Sequence, residues 1–455
     1  MSETETQISN SLEAFQPGNP TRISSAIFAL LCIIPAFATV LFGAVDSATW
    51  VIISIFWAVL VCLWLADGWS NRGILFNKSS LQIPLVALLA LGAIQLLPLG
   101  SGSSSPSLDA YSTRFFVIRL IIFGTFFAAA LAYINSEKRL KRIVVLIVFF
   151  GATMAFFGIL QRLANPDGIY GMRLTPQAIP FGPFVNQHHF AALMQMTGGL
   201  TLALLLGRDT TREKKYLLAI ALVISGIAVA LTGSRGGLLG FLAMASFGAL
   251  LTFMSERKSR SEEDSGVQRK VIFAAGALGF GLVIIGTALL IGGNDQVLRG
   301  IGAVSADADV STGRLHFWPI ALKIFSAHPL IGSGFDSFAV AFTRYDTWSG
   351  LMRVEQAHNE YLQMLAEGGL VAIGCVLLFI FLLFKKGLQV VSSTKGFRHS
   401  AAIGALAGCL GIMVHSFFDF PLRTNSNMFV FLLMAAIATV TVTVGENHHR
   451  RHRRH

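Results

Sequence analysis

His358 is the residue of this chain whose side chain is best suited to proton transfer. It lies in the polar sequence QAHNEY, shortly before an apolar stretch. An imidazole titrates near neutral pH and can therefore take a proton from a hydroxyl group under physiological conditions. A histidine in a loop can equally be a solvated residue without a catalytic role, and the local pattern leaves both interpretations open. The neighbouring Asn359 and Tyr361 are candidates for lining a cavity or binding an acceptor.

Two arginines beside glycines have the chemistry for binding an anion. Arg235 stands in the sequence GSRGG and Arg314 in the sequence TGR. Glycine permits a close approach of the backbone, successive N–H groups bind anions, and a guanidinium offers paired donors to phosphate oxygens. A tight helix–helix turn at Arg235 and a simple helix cap at Thr312 are the alternative interpretations. The nearby Asp307-Ala308-Asp309 has the form of a metal-binding DxD element, but a match this short predicts no metal site.

Two further segments combine polar with aromatic residues. The segment FGPFVNQHHF contains Asn186 and His188 and follows Arg173. The segment DFPLR contains Asp419 and Arg423. Both are predicted either to line a cavity or to be structural segments whose aromatic residues lie at a membrane interface.

The composition indicates that most side chains face lipid or the interior of a helical bundle. Hydrophobic residues make up 54% of the 455 residues and charged residues only 13%, whereas soluble domains contain about 25% charged residues. A helix needs about 20 mostly apolar residues to cross a bilayer, and such stretches recur along the whole chain. The sequence therefore predicts an all-α integral membrane protein. The four cysteines lie in apolar stretches, which predicts packing residues without a disulfide or a zinc site.

Twelve apolar stretches are predicted to be transmembrane helices. They are residues 23–44, 48–66, 81–98, 115–134, 143–163, 188–207, 216–232, 237–254, 271–292, 368–387, 400–418 and 427–445. They divide the chain into a polar tail (1–22), nine helices (23–292), a large loop (293–367), three helices (368–445) and a basic tail (446–455).

The distribution of Lys and Arg predicts the orientation of these helices. Basic residues concentrate in cytoplasmic loops, and placing both termini in the cytoplasm puts 24 of the 35 Lys and Arg residues into cytoplasmic segments. The net charge of +11 is then explained by basic segments that interact with membrane lipids, and no nucleic-acid partner is predicted. Ten of the eleven basic residues left outside are arginine, the side chain that binds phosphate with two parallel hydrogen bonds. Ordinary salt bridges in loops are the alternative explanation.

The large outer loop is predicted to contain two helices. Leu315, Trp318, Leu322 and Phe325 recur at helical spacing, which is typical of an amphipathic helix on the membrane surface or over the mouth of the bundle. A second helix near residues 359–367 is predicted to lead into the tenth span. The segment HPLIGSGFDSF between them is rich in Gly and Pro, which predicts a turn.

Together and in this order, these motifs resemble the O-antigen ligase and O-antigen polymerase superfamily of bacterial membrane proteins. The matching segments are GPFVNQHHFA, SRGG, the helix that TGR begins together with HPLIGSGFDSF, the pair His358-Asn359 with Gly368-Gly369 beyond it, and FFDFPLR. The resemblance implies a membrane glycosyltransferase of the GT-C type in the bacterial inner membrane, with its active site in the periplasm. It implies a glycan donor linked to undecaprenyl diphosphate and, for a ligase, lipid A–core or another glycan as acceptor.

The resemblance also assigns roles to residues. It implies that His358 is catalytic and that Arg235 and Arg314, with Arg173, bind the diphosphate. The candidates for lining the cavity or binding the acceptor are Asn186, His188, Asn359, Tyr361, Asp419 and Arg423. Because a sugar diphosphate already has a good leaving group, we expect a base and positive charge at the diphosphate, inversion of the anomeric centre, and neither a metal nor another cofactor.

Alternatives to a ligase stay open at this point. A polymerase of the same superfamily would transfer the glycan to a second lipid-linked repeat, and no residue pattern identifies the acceptor. A transporter for bicarbonate or another small solute would need ionisable residues at mid-membrane, often in paired repeats. Arg119 and His415 are the main interior candidates, whereas most ionisable residues concentrate at one face, which favours an enzyme. A scaffold without chemistry would leave the arginines outside unexplained.

Overall fold

The computed structural model describes residues 21–98, 105–165, 167–176, 178–257, 313–348, 350 and 353–442. These residues are mostly α-helical, with one two-stranded antiparallel hairpin in which Ile169 pairs with Arg173. In chain order the elements are α1 Arg22–Val40, α2 Ser47–Ser70, α3 Gln82–Leu96, α4 Ala110–Tyr133, α5 Glu137–Ala164, β1 Gly168–Ile169, β2 Arg173–Leu174, α6 Gln187–Leu206, α7 Arg212–Leu231, α8 Arg235–Arg257, α9 Arg314–Ala327, α10 Phe338–Thr343, α11 Glu360–Ser393, α12 Gly396–His415 and α13 Asn425–Thr439. Short 3₁₀ turns occupy Phe42–Ala44 and Pro421–Arg423.

Nine helices in the described part of the chain are long and apolar enough to cross a bilayer: α1, α2, α4 to α8, α11 and α12. They confirm the predicted all-α integral membrane protein. The helices predicted at 81–98 and 427–445 are found as α3 and α13, which have only 15 residues each. Pro98 disfavours helical backbone at Leu97 and so ends α3 early. The span predicted at 271–292 lies outside the described residues, and the total of twelve stays a prediction.

Helices α6 and α12 form the centre of the bundle. The buried share of their apolar windows is 83% and 78%, against 22% for α2. They cross at Gly199 and Gly404, where a Cβ on Gly199 would lie 2.6 Å from the carbonyl oxygen of Gly404. Small residues at such crossings let two backbones come into direct contact. Helix α8 packs against both, so these three helices position the residues at their ends.

Helix α11 combines two predicted elements and contains a break. The helix predicted near 359–367 and the tenth span form one helix, which is interrupted at Gly369 (φ 62°, ψ −158°). The predicted Gly- and Pro-rich turn docks into the break, where the N–H of Leu370 donates to the carbonyl of Pro329 at 2.9 Å and the N–H of Ser333 to that of Ala366 at 3.0 Å. The turn therefore supplies both an acceptor and a donor to backbone groups that an unbroken helix would have paired internally.

Helix α9 buries a different stripe from the one that the sequence pattern emphasised. Phe317, Ile320 and Ile324 are buried against α10 and α11, whereas Leu315 is 77% exposed. The helix carries apolar residues on two faces, and the contact with α11 determines which of them is buried. The helix itself is confirmed.

Arg139 and Arg398 hold carbonyl groups at helix ends. Arg139 donates to the carbonyl of Tyr133 at 3.2 Å, and Arg398 donates to that of Val440 at 2.6 Å. Both arginines belong to loops predicted to be cytoplasmic. Their charged groups satisfy carbonyls that the last turns of α4 and α13 leave without helical partners.

Candidate active site

The polar residues singled out in the sequence stand at helix ends on one side of the bundle. His188 lies in the first turn of α6, Arg235 begins α8, Arg314 begins α9, His358 precedes α11, Asp419 follows α12 and Arg423 precedes α13. These ends alternate along the chain with the ends that carry Arg139 and Arg398. The fold therefore brings together residues that are distant in sequence.

The centre of the site is the pair formed by His358 and Asp419. The Nδ1 atom of His358 lies 3.3 Å from the Oδ1 atom of Asp419, a close contact without linear hydrogen-bond geometry. Asp419 is only 1% exposed, whereas the imidazole of His358 is 32% exposed. Because Nδ1 faces the carboxylate, the Nε2 edge of the ring is left for a reacting group.

Aromatic rings and backbone hydrogen bonds fix the position of His358. Its ring stacks on Phe317 with centroids 6.0 Å apart and meets Phe420 edge-on at 4.9 Å. The preceding Ala357 donates to the Oε1 atom of Gln363 at 2.6 Å, and its carbonyl accepts from Trp318 at 3.1 Å. Helices α9 and α11 thus position the imidazole from two sides.

His188 links the same carboxylate to α8. Its Nδ1 atom lies 2.8 Å from the Oγ atom of Ser234 and 3.8 Å from the Oδ2 atom of Asp419. Ser234 also accepts from the N–H of Gly237 at 3.0 Å and so caps the first turn of α8. Asn186 caps α6 by accepting from the N–H of His188 at 2.8 Å.

The two imidazoles keep Asp419 ionised. Burial raises the pKa of this carboxyl, but its interactions with His188 and His358 lower the pKa by a larger amount, so that the net pKa lies below its usual range. A carboxylate in this state orients a neighbouring imidazole and stabilises it when it becomes charged.

Arg235 and Arg314 are both close in the structure to the segment that carries Asp419. The Nε and Nη2 atoms of Arg314 donate to the carbonyl of Phe418 at 2.9 and 2.6 Å. Arg235 is followed by Gly236, where a Cβ would lie 2.9 Å from the Cβ of Phe418. The N-termini of α8 and α9, each with an arginine, therefore lie beside the segment that leads to Asp419, and helix N-termini favour anions. Thr312 and the Asp307–Asp309 element lie outside the described residues.

Arg173 is placed differently. It pairs with the carboxylate of Asp46, with Nη2 and Oδ1 2.9 Å apart, and its guanidinium lies 4.9 Å from the ring of Phe42. These contacts join the hairpin to the turn after α1. They do not connect Arg173 to His358.

Arg423 is surrounded by carboxylates. Its guanidinium lies 2.6 Å from Glu367, 3.0 Å from Asp336 and 3.4 Å from Glu360, and Asp336 also contacts Arg119 at 3.4 Å. Burial lowers the pKa of Arg423, but the three carboxylates raise it above its usual range. The donors of Arg423 are thus occupied by acids.

Asn359 and Tyr361 have structural contacts in the site. Asn359 caps α11 by accepting from the N–H groups of Tyr361 and Leu362, both at 3.1 Å. The hydroxyl of Tyr361 donates to the carbonyl of Met413 at 2.9 Å and so links α11 to α12. Both side chains hold the helix that follows His358.

The sequence interpretation missed Ser234 and the carboxylates around Arg423. A signal for two of these was present, because Glu360, Gln363 and Glu367 recur at steps of three and four and therefore share one face of α11. The structure confirms that shared face through a hydrogen bond of 2.8 Å from Gln363 to Glu367. Ser234 and Asp336 had no local pattern that distinguished them.

An apolar cavity of about 500 Å³ opens beside this site. It extends between α3, α4, α11 and α13, and its polar end includes Gln356, Glu360, Phe420 and Arg423. Gln356 and Glu360 stand on either side of His358 in the chain.

Comparison with protein families supports the resemblance found in the sequence. Residues 220–387 match the family model described as O-antigen ligase. The match includes Arg235, Arg314 and His358 but not His188 or Asp419. It confirms the predicted resemblance to the O-antigen ligase and polymerase superfamily and, with the apolar helices, supports a membrane enzyme of ligase or polymerase type. The comparison with curated proteins gives no match.

Proposed function

We propose, from the match to the O-antigen ligase family and the geometry around His358, that this membrane enzyme transfers a glycan from undecaprenyl diphosphate to an acceptor hydroxyl. The observation that carries the proposal is the contact of 3.3 Å between His358 and the buried Asp419. An imidazole held by a buried carboxylate is an arrangement suited to general-base catalysis.

In the proposed reaction the acceptor oxygen attacks the anomeric carbon of the donor. Its proton passes to Nε2 of His358 while the bond between the anomeric carbon and the diphosphate oxygen breaks. The lipid diphosphate leaves with the bonding electrons, and attack from the opposite face inverts the anomeric centre. Asp419 does not take the proton; it orients the imidazole and stabilises its positive charge.

Arg235 and Arg314 are proposed to bind the diphosphate. Both residues begin helices, and both helices begin beside the segment Phe418–Asp419, so that two guanidinium groups and two helix N-termini lie close to the segment that carries the partner of the base. The charge that develops on the leaving oxygen is the charge such donors stabilise, and loss of one well-placed donor typically slows the reaction by about 10²–10³-fold. Arg173 and Arg423, whose guanidinium groups are paired with carboxylates, are not included in this role.

The site is proposed to face the periplasm of the bacterial inner membrane, with both termini in the cytoplasm. This follows from the concentration of Lys and Arg in the loops at the opposite helix ends. A polymerase, which would use a second lipid-linked glycan as acceptor, remains the second candidate, because the matched family alone does not identify the acceptor.

The test measures release of lipid diphosphate from an undecaprenyl-diphosphate-linked oligosaccharide by the protein in lipid nanodiscs, with and without lipid A–core. We expect acceptor-dependent release by the wild type and its loss in His358→Ala. His316→Ala is the matched control, since it removes another imidazole that contacts a carboxylate, Asp346, at 2.8 Å.

Four outcomes separate the alternatives. Release that depends on lipid A–core supports the ligase, and release that occurs with donor alone and lengthens the glycan supports the polymerase. Full activity of His358→Ala contradicts the base assignment. If the folded wild type releases no lipid diphosphate with any donor and acceptor, the transferase is contradicted and solute uptake by a transporter is the next measurement.

A further inference from the structure

The apolar cavity beside the site has the dimensions of a ligand site. Its volume is about 500 Å³, and ligand sites in proteins typically enclose roughly 300–1,000 Å³. Its deep end lies between membrane helices and is lined by Leu88 of α3, Phe123 of α4, Val376 and Phe379 of α11 and Leu432 of α13. These side chains form no hydrogen bonds with a polar molecule, whereas the burial of an apolar chain against them is favourable.

The shallow end of the cavity contains polar atoms that lack partners. Four side chains that line it have a buried polar atom without a hydrogen-bond partner among the described residues: Nε of Arg119, Nε2 of His189, Oε1 of Gln356 and Oε1 of Glu360. Glu360 is only 8% exposed. A buried polar atom without a hydrogen-bond partner destabilises a protein, so these atoms point to a ligand that both donates and accepts hydrogen bonds. Hydroxyl groups do both.

The charge of this end argues against a phosphate. The carboxyl groups of Asp336, Glu360 and Glu367 surround the guanidinium of Arg423, and Asp336 also contacts Arg119, so a phosphate would have to compete with these carboxyl groups for both guanidinium groups. A diphosphate would add further negative charge to a partly buried acidic cluster, where like charges repel strongly. An uncharged head group meets no such repulsion.

The polar end of the cavity lies next to the proposed base. Gln356 and Glu360 are two residues before and after His358 in the chain, and the ring of Phe420, which lines the cavity, lies 4.9 Å from the ring of His358 and 5.1 Å from that of His189. Phe420 thus joins the cavity to the imidazole of His358, and a head group held by Arg119, Gln356 and Glu360 would bind at this end of the cavity.

We propose that this cavity binds the acceptor: an amphiphile whose apolar chain lies between α3, α4, α11 and α13 and whose uncharged, hydroxyl-bearing head group meets Arg119, Gln356 and Glu360. Its identity as the acceptor rests on the proposed function, whereas the binding of such an amphiphile does not. The lipid diphosphate of the donor binds outside this cavity, at the N-termini of α8 and α9.

The experiment uses a dodecyl glucoside with a photoactivatable diazirine near the end of its chain, and the full-length protein in lipid nanodiscs. Labelled peptides are identified by mass spectrometry. We expect the label on α4, α11 and α13. Val376→Trp fills the cavity and should reduce labelling about tenfold or more, which corresponds to at least about 1.4 kcal/mol. Leu377→Trp is the matched control, since Leu377 is the next residue of α11 and is 56% exposed.

Competition measures the head-group preference. Unlabelled dodecyl glucoside should displace the probe at a concentration about tenfold lower than dodecyl phosphate does, because the phosphate meets the acidic cluster. Equal labelling of the Val376→Trp and Leu377→Trp variants would overturn the cavity assignment. Stronger competition by the phosphate would overturn the head-group assignment.

A second arm separates an acceptor from a resident membrane lipid. With the glycan donor present, the unlabelled glucoside should become glycosylated by the wild type, and Val376→Trp should reduce this product. A glucoside that binds but stays unmodified, while the donor is still transferred to lipid A–core, would overturn its role as acceptor and identify a lipid site. Labelling by the probe without any transfer would contradict the proposed function and leave the amphiphile site standing.

Discussion

His358 is held in a backbone conformation that side chains rarely adopt. Its φ is +50°, in the left-handed region, and Asp336 beside Arg423 has a φ of +61°. Each such residue costs about 1–3 kcal/mol and persists only where its surroundings impose it. At His358 these surroundings are the hydrogen bonds of Ala357 and the rings of Phe317 and Phe420. The imidazole therefore has little freedom to leave the carboxylate of Asp419.

Asp419→Asn should slow the transfer without weakening the binding of the donor. The amide has nearly the shape of the carboxylate but cannot stabilise the charged imidazole, so we expect kcat to fall about 10²-fold or more with KM for the donor changed little. Steady-state kinetics with an undecaprenyl-diphosphate-linked oligosaccharide measure both values. A variant with a raised KM and an unchanged kcat would show that Asp419 acts in binding instead of positioning His358.

Arg314→Lys should weaken the binding of the diphosphate. The guanidinium uses Nε and Nη2 on the carbonyl of Phe418 and so keeps a fixed direction, which a single ammonium group cannot reproduce. We expect inhibition by free undecaprenyl diphosphate to weaken about tenfold. Arg344→Lys is the control, because the guanidinium of Arg344 lies over the ring of Tyr345, 6.0 Å from its centroid. Equal inhibition of both variants and the wild type would remove Arg314 from the diphosphate site.

At the scale of elements, the sequence predicted most helices because their apolar stretches are long and uninterrupted. It also predicted that the segment after His358 is helical and leads into a span, as α11 shows. The buried stripe of α9 and the docking of the glycine-rich turn were not predictable, since both depend on partners far along the chain. Gln95 of α3, for example, donates to the carbonyl of Glu367 at 2.9 Å across 272 residues.

The same limit applies to the site. The side-chain chemistry of His358, Arg235 and Arg314 indicated what each residue could do. The sequence did not indicate which Asp or Glu side chain contacts His358. The loop that holds Asp419 joins α12 to α13, and only the packing of α12 against α6 and α8 brings it to His188 and His358.

Gly369→Ala should destabilise the protein markedly. A side chain at φ +62° is strained, and its Cβ would lie 2.4 Å from the carbonyl oxygen of Leu330, so we expect a loss of about 2–3 kcal/mol or more. Gly374→Ala is the matched control on the same helix, because no heavy atom lies within 4 Å of its added Cβ. Thermal unfolding in detergent compares the two variants. Equal unfolding temperatures would contradict the break in α11.

At the scale of the whole molecule, the two ends of the bundle differ in chemistry. The hairpin and the His358 site lie at one end, and the loops rich in Lys and Arg lie at the other. Labelling of single cysteines in spheroplasts tests the proposed orientation, in a background where the exposed Cys62 is replaced by Ser.

A membrane-impermeant maleimide should label Leu174→Cys in intact spheroplasts, because Leu174 lies in the hairpin and is 76% exposed. Lys214→Cys, in the first turn of α7, should react only after the membrane is permeabilised. The opposite pattern would place the site in the cytoplasm and contradict the proposed orientation.

The glycine crossing of α6 and α12 determines which part of the bundle can open while the rest stays folded. Backbones in direct contact leave little room for local fluctuation, so the amide hydrogens of these helices should exchange with deuterium last, well after those of the loops that connect the helices. Hydrogen exchange followed by mass spectrometry measures this order. Asp419, which follows α12, should therefore keep its contact with His358 while more loosely packed parts of the protein fluctuate.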